Sequence, residues 1–450
     1  MNFNTFSQRL NELIQMPRVQ QLAIEHGWQK RRGKISPWEF LFSGVGQASA
    51  LDLTLNAQAS TFTQPVTRQA VDQRYNPAAV GYFEAAFGHC LAKTLTWKTD
   101  SLMTRKLQEH FGAIRLFDST HCRCSDALAR LFPDCGGDAG HAGIKILLSY
   151  NYATGQLQPL RLLPAKCSDQ SLAGTVAQAV GAGELGICDK GFHHAGPLRE
   201  LSQRGGFYLL PWSHGIRVWL PDTAGQPSAP VEVAQALKAS SAAVVEWKAV
   251  GLGQTETSRL APVRLVAFRL GEHSAHRRRA VLRENCRKQG RTVTAAALQL
   301  AGWLILLTNA PAQRLPTAAM GYLYRTRWQI ELVFKQFKSV LRLDVLVSDN
   351  PCRVQCELWA RLLSALLTFA WYQHTNIVSL ALHECEMSFA KVAKLLQQQS
   401  HALTRALFAG RERLQAEWRH VWRQLLKLAR KERQPSRPTT WENLCQHWLA

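Results

Sequence analysis

The sequence predicts a mixed α/β protein flanked by helical regions, and three observations carry that expectation. Between residues 113 and 211, short apolar runs rich in branched residues alternate with helix-like segments, as strands and helices sharing one core do. Residues 1–105 and 346–450 lack such runs and show helical periodicity instead. An apolar share of 46% over 450 residues is enough to build a buried core in two to four domains.

In the N-terminal region, Ser36-Pro37-Trp38-Glu39 combines an N-cap serine, a proline at the first helical position and an early acid, so a helix starts there. Residues 53–61 and 66–75 outline two helices around a Thr63-Gln64-Pro65 break, which suits either a helix-turn-helix or an ordinary helical hairpin. In the first case Arg68, Gln69, Gln73 and Arg74 face a DNA groove, because Arg and Gln carry donors that read guanine and adenine edges. Residues 1–105 are therefore expected to form a helical DNA-binding domain.

Strands are expected at residues 113–117, 144–150, 157–163, 185–188 and 207–211, with helices at 168–180 and 194–203. From about 212 to 300 the composition changes: Pro, Gly and Ser collect around 221–230, apolar stretches fall at 243–247 and 263–270, and a basic tract runs from His276 to Lys288. This reads as an inserted, strand-containing subdomain. Strand character returns at 303–308, one long helix is expected from about 318 to 341, and the rest is helical. The division is then 1–105, a core at 106–345, and a helical region at 346–450 that is a candidate for dimerisation.

Lys and Arg number 54 against 32 Asp and Glu, a net charge of +22. Such a chain seeks polyanions; nucleic acid is the commonest, and an anionic membrane surface is the rival. The N-terminus lacks the apolar run of a signal peptide. The most apolar stretch, 358–372, is shorter than the roughly 20 residues a span needs and contains Arg361, so it reads as a buried helix. Eleven scattered cysteines point to a reducing cytoplasm. His121, Cys122, Cys124 and Cys135 lack the spacing of a zinc ribbon or finger, which favours buried or idle thiols.

Chemistry concentrates near the end of the core. On one helix, Tyr324, Arg327, Glu331 and Lys338 would share a ~60° sector at about 100° per residue. Ile330, Val333, Phe334, Phe337 and Leu341 fill the neighbouring sector, so the polar stripe borders the buried face, where a cleft would be. A carboxylate there, flanked by Arg and Lys, suits a divalent metal with cations placed for phosphate oxygens. A solvated helix with i,i+4 pairs Arg327–Glu331 and Glu331–Lys335 fits the same spacing.

The pattern Y-x2-R-x3-E-x6-K carried by Tyr324, Arg327, Glu331 and Lys338 resembles the hallmark of the insertion-sequence "four" family of bacterial DDE transposases. Two upstream segments are similar to the family's aspartate-bearing strand ends. They are Ile114-Arg115-Leu116-Phe117-Asp118, where the acid is expected to close the strand, and Gly186-Ile187-Cys188-Asp189-Lys190, where the family usually has Arg at the position of Lys190. The resemblance covers roughly residues 110–345 and implies a ribonuclease-H-like catalytic core with a β-rich insertion.

By that resemblance, Asp118, Asp189 and Glu331 are the catalytic and metal-binding acids, holding two Mg²⁺ ions, with Mn²⁺ a substitute. Water or a 3′-hydroxyl then attacks phosphorus in line. Tyr324, Arg327 and Lys338 contact phosphates near the cleaved end, and the element leaves through a DNA hairpin before strand transfer.

A stacking aromatic in the insertion has Trp247 and Trp303 as candidates, with core packing as the other reading. Arg278 and Arg279, with the rest of the basic tract, either follow the bound DNA or form a solvated face. The stripe Leu414, Trp418, Val421, Trp422, Leu425 and Leu428 either pairs subunits in a homodimer across two ends or packs on its own domain. The resemblance implies a cytoplasmic, nucleoid-associated protein whose partners are transposon ends and target DNA. A nuclease without strand transfer, or a silent transposase-derived DNA-binding protein, are the alternatives.

Overall fold

The computed structural model describes residues 3–31, 33–48, 54–95, 102–135, 140–221, 227–254, 260–339, 348–383, 385–432 and 440–449, with the single residues 342, 346 and 438. The N-terminal helices are α1 (Phe3–Leu13), α2 (Met16–Glu25), α3 (Pro37–Ala48), α4 (Leu55–Ala59), α5 (Arg68–Asp72), α6 (Pro77–Leu95) and α7 (Leu102–Gln108). α3 starts on the expected signal. The Ser36 hydroxyl accepts from the Glu39 N–H at 3.2 Å, an N-cap bond, and donates to Glu39 Oε2 at 2.8 Å.

The helices expected at 53–61 and 66–75 are much shorter than the sequence suggests: α4 and α5 have 5 residues each. Thr54 and Thr67 cap their first turns. Ser60 and Thr61 donate back to the Ala57 and Gln58 carbonyls, so hydroxyls satisfy the last acceptors of α4 and the chain turns away. Beyond α5, Tyr75 is drawn into the core, where its hydroxyl donates to the buried Gln58 Oε1 at 2.8 Å. Residue 53 lies outside the described residues.

The core begins with β1 (Ile114–Arg123), β2 (Gly143–Asn151), β3 (Leu157–Pro164), α8 (Ala173–Gln178), β4 (Leu185–Ile187), α9 (Ala195–Gln203) and β5 (Phe207–Pro211). β1, β2 and β3 form an antiparallel meander, and β4 and β5 add to it parallel to β1. That order, β3-β2-β1-β4-β5, is ribonuclease-H-like, and the protein is of the mixed α/β class. Asp118 does not close β1 as expected. β2 pairs the strand over its whole length, from Arg115 opposite Asn151 to Arg123 opposite Gly143, and carries it past the acid.

The following segment holds β6 (Val218–Pro221), β7 (Pro227–Val231), α10 (Val233–Ala239), β8 (Val244–Leu252), β9 (Leu260–Arg269), α11 (Glu272–Lys288) and α12 (Ala295–Leu300). β10 (Trp303–Thr308) pairs with β5 on one side and β9 on the other. The strands of residues 212–300 thus extend the central sheet, which reads β3-β2-β1-β4-β5-β10-β9-β8-β6-β7. The basic tract lies on α11.

The long helix expected at 318–341 is two helices, α13 (Thr317–Arg325) and α14 (Trp328–Ser339). At the break, the N–H groups of Thr326 and Arg327 bond to the carbonyls three residues back, and the Thr326 hydroxyl adds a bond to the Leu323 carbonyl. These tighter bonds replace the α pattern for one turn.

The C-terminal helices are α15 (Pro351–His383), α16 (Phe389–Gln398), α17 (Ser400–Phe408), α18 (Arg411–Leu428) and α19 (Thr440–His447). They pack on the N-terminal helices in one apolar core. The fully buried Phe6 ring lies 4.6 Å from Trp371 and 4.9 Å from Trp422, joining α1 to α15 and α18. α18 buries Leu414, Trp418, Val421, Trp422 and Leu425 within this chain, leaving Leu428 exposed. Residues 358–372 are part of the 33-residue α15, and no described helix is long and apolar enough to cross a membrane.

Candidate active site

Strand register brings the two aspartates together. Ile114, Arg115 and Leu116 of β1 stand opposite Leu185, Gly186 and Ile187 of the parallel β4. Continuing that register two residues sets Asp118 beside Asp189. Side chains alternate along a strand, so both acids share the face of Leu116 and Ile187. Those two residues belong to the cluster that includes Ile330 and Val333 of α14, whereas Phe117 and Cys188 point into the other cluster, toward α8 and α9. α14 packs against β1 and supplies Glu331 from its first turn.

Arg327 is their common neighbour. From the turn between α13 and α14, its Nη1 lies 3.3 Å from Asp118 Oδ2 and its Nη2 donates to Glu331 Oε1. Burial would lower the guanidinium pKa, but Tyr324, Glu331, Asp118 and Asp189 together raise it. Burial pushes the Asp118 carboxyl up to about 6, with Glu331 and Asp189 adding to the shift. The Ser119 N–H and Arg327 pull the other way. Burial likewise raises the Tyr324 phenol to about 12, and the Arg327 guanidinium lies 6.0 Å from its ring centre.

Asp189 follows β4 and precedes a single 3₁₀ turn, Lys190–Phe192, yet its side chain makes no capping bond there. The carboxylate therefore serves no local turn. Among the described residues no three His, Cys, Asp or Glu side chains stand close enough to hold an ion in this arrangement. Carboxylate oxygens are nonetheless the hard donors that Mg²⁺-like ions take, and Arg327 supplies the positive charge between two of them.

Outside the carboxylates, α14 lines an open groove of about 500 Å³ with Glu331, Phe334, Lys335 and Lys338, so two lysines follow the acid along one side. The Phe337 side chain and Leu341 lie outside the described residues. Trp328 is 59% exposed on the first turn of α14, between Arg327 and Glu331. On the opposite face of β1, the Ser119 hydroxyl and the Lys145 ammonium both donate to Asp169 Oδ1, at 2.8 and 3.1 Å. Sequence reasoning passed over Trp328, although it adjoins the motif, and Asp169, which only folding brings to β1.

Residues 109–367 match the family model described as Transposase DDE domain, which is more than half of the chain. The chain belongs to the DDE transposase family. Its relatives include the transposase for insertion sequence element IS231B of Bacillus thuringiensis subsp. berliner, 26% identical over 89% of this chain and 87% of its own length. The transposase for IS231E of Bacillus thuringiensis subsp. finitimus is 24% identical over 98% of this chain and 94% of its own. A solved piggyBac transposase synaptic complex with hairpin DNA aligns with 96% of this chain and 86% of its own, at TM-score 0.46 and 11% identity.

As a DDE transposase of the bacterial insertion-sequence type, the chain uses divalent metal and acts on DNA. Of its other candidate DNA contacts, Arg68, Gln69 and Gln73 are exposed on or just after α5, and Arg74 lies 5.3 Å over the Trp28 ring. Arg278 donates to the Trp303 carbonyl at 2.7 Å and senses the Tyr324 phenol, which sets α11 beside the motif. Arg279 donates to the Leu298 carbonyl. Trp303 is buried under the Arg269 guanidinium, and Trp247 is half-buried against the sheet's second core, so packing occupies both. Cys122 and Cys124 are buried thiols of the β1 end, and His121 pairs with Asp134 at 2.8 Å.

Proposed function

We propose that this transposase binds the terminal inverted repeats of its insertion sequence, cleaves there, and joins the freed ends to target DNA in a cut-and-paste reaction that passes through a hairpin. The observation that carries this reading is the convergence on Arg327 of one acid from β1, one from just past β4 and one from α14. Asp118, Asp189 and Glu331 would hold Mg²⁺, or Mn²⁺ in its place. The metal supplies Lewis-acid stabilisation of charge on the reacting phosphate oxygens. Arg327 holds two of the acids in place until DNA arrives and then offers its guanidinium to a phosphate, for which its planar fork is suited. Tyr324 and Lys338 meet neighbouring phosphates from the two ends of the same helical pair.

Trp328 presents an exposed indole next to these groups and takes the base-stacking role that packing denies Trp247 and Trp303. Arg278 and Arg279 continue the path of the DNA along α11, and Arg68 and Arg74 serve the N-terminal domain, residues 1–105. The core spans 106–345 and the helical C-terminal region 346–450. Two subunits would hold the two ends, through a surface other than the face of α18 already filled by α1 and α15. The reaction takes place in the bacterial cytoplasm, at the nucleoid.

The test is cleavage and end-joining of a labelled duplex carrying the element's terminal repeat, with Mg²⁺. Wild type cuts and joins; Asp189→Asn and Glu331→Gln do neither. Variants that cut as well as wild type overturn the site, and cutting without joining reduces the protein to a nuclease.

A further inference from the structure

The N-terminal helices carry a second cluster of positive charge that the active site does not use. The basic run Lys30-Arg31-Arg32-Gly33-Lys34 follows α2, and Lys30, Arg31 and Gly33 from it, with Arg74, Asn76, Pro77 and Ala78, wall an open cleft of about 630 Å³. Lys30 and Arg31 are exposed on its rim, and none of the described hydrogen bonds or ion pairs holds either. Arg32 lies outside the described residues. No acid lines the cleft.

Its floor is built. Trp28 is buried, stacked on Phe40 at 5.0 Å, and its indole N–H donates to the Arg74 carbonyl at 3.1 Å. The Arg74 guanidinium lies over the Trp28 ring, and the loop approaches so closely that a Cβ at Gly33 would sit 3.3 Å from Arg74 Nη2. The 19-residue α6 starts in the same cleft with Asn76 as its cap and Pro77 at its first position, so its positive dipole end adds to the cations.

We infer that this cleft is a phosphate-backbone site for duplex DNA, separate from the catalytic centre; the inference rests on the DNA-binding reading above. A cation held over a buried indole loses little freedom on meeting a phosphate, while the two free rim cations release counterions. Arg68, Gln69 and Gln73 stand exposed just before Arg74, so a strand seated in the cleft is continuous with donors able to reach base edges. The cleft offers no exposed large apolar side chain to a lipid surface.

The experiment titrates the full chain into a fluorescein-labelled duplex of arbitrary sequence, about 30 base pairs long, over a range of salt without Mg²⁺, because backbone contacts need no particular sequence. Lys30→Ala/Arg31→Ala makes the slope of log K against log salt shallower by about 2, since each lost phosphate contact removes about 0.9. Lys30→Arg/Arg31→Lys keeps the wild-type slope, and so does Arg423→Ala/Lys427→Ala, which removes equal charge from the exposed side of α18. An unchanged slope in the Lys30/Arg31 alanine variant, or an equal change in the α18 variant, overturns the cleft alone. Wild type that binds no duplex overturns the DNA reading and the cleft with it. Phosphatidylglycerol vesicles that displace the duplex through Lys30 and Arg31 overturn the choice of ligand.

Discussion

Arg327 Nη1 stands 3.3 Å from Asp118 Oδ2 while its other terminal nitrogen donates to Glu331, one helical turn further on. A single guanidinium therefore bridges two acids that lie far apart in the chain. Removing it leaves two partly buried carboxylates facing each other. Arg327→Ala should lower stability in metal-free buffer by about 1–3 kcal/mol, less than for a fully buried pair because water reaches the site. Urea unfolding with and without Mg²⁺ checks this: the ion restores part of the loss, and a variant as stable as wild type refutes the counter-ion role.

Asp118 adds a pH dependence with a definite sign. Its folded pKa, about 6, lies above the ordinary 3.8, so the native state holds a proton that the unfolded chain has already released. Stability from this group is present below about 4 and is lost as pH rises through about 6. In EDTA, Asp118→Asn should melt higher than wild type at pH 8, with the gap shrinking steadily as pH falls to 4.5. The same titration weakens Mn²⁺ binding to wild type about tenfold per pH unit below about 6, since the ligand must be deprotonated.

His374 works in the opposite direction. Burial holds its pKa down to about 4, against a bond to the Ala370 carbonyl that favours the proton, and Arg9 adds repulsion. The folded state therefore refuses a proton that the unfolded chain accepts near 6.5. Stability is complete above about 6.5 and is lost as pH falls toward about 4, by at most about 3 kcal/mol. His374→Gln should flatten this acid limb in thermal melts between pH 4 and 7; an identical limb would assign it to other groups.

Gly186 sits in β4, between the cores of the two sheet faces. A Cβ there would lie 2.9 Å from Val180 Cγ2 and 3.4 Å from the Phe117 ring, and the branched Val180 has little freedom to turn aside. Gly186→Ala should cost about 1–3 kcal/mol by overpacking and shift Asp189 against Asp118. Urea denaturation reads the first effect. Mn²⁺ affinity reads the second, and wild-type values for both would show that the strand gives way freely.

Much of this was legible in the residues alone. The alternation of branched apolar runs with helix-like segments places most core strands to within a few residues, because a buried sheet demands that composition. The acids Asp118, Asp189 and Glu331 stand out through the motif they belong to. Local pattern misjudged length at two places marked by a hydroxyl: Thr326 divides the long helix, and Ser60 and Thr61 stop α4 after one turn. Neither interruption involves a Gly or Pro that would have announced it.

By itself the sequence determined where most strands and helices lie and which side chains are proposed for the chemistry, since these follow from periodicity and from a recognisable motif. The fold alone decided who meets whom. Parallel register set Asp118 beside Asp189, and the turn before α14 swung Arg327 between Asp118 and Glu331. β9 found β10 and drew the insertion into the central sheet, and the aromatic face of α18 closed on Phe6. Each of these depends on long-range packing, which rewards total burial and leaves no trace in local spacing.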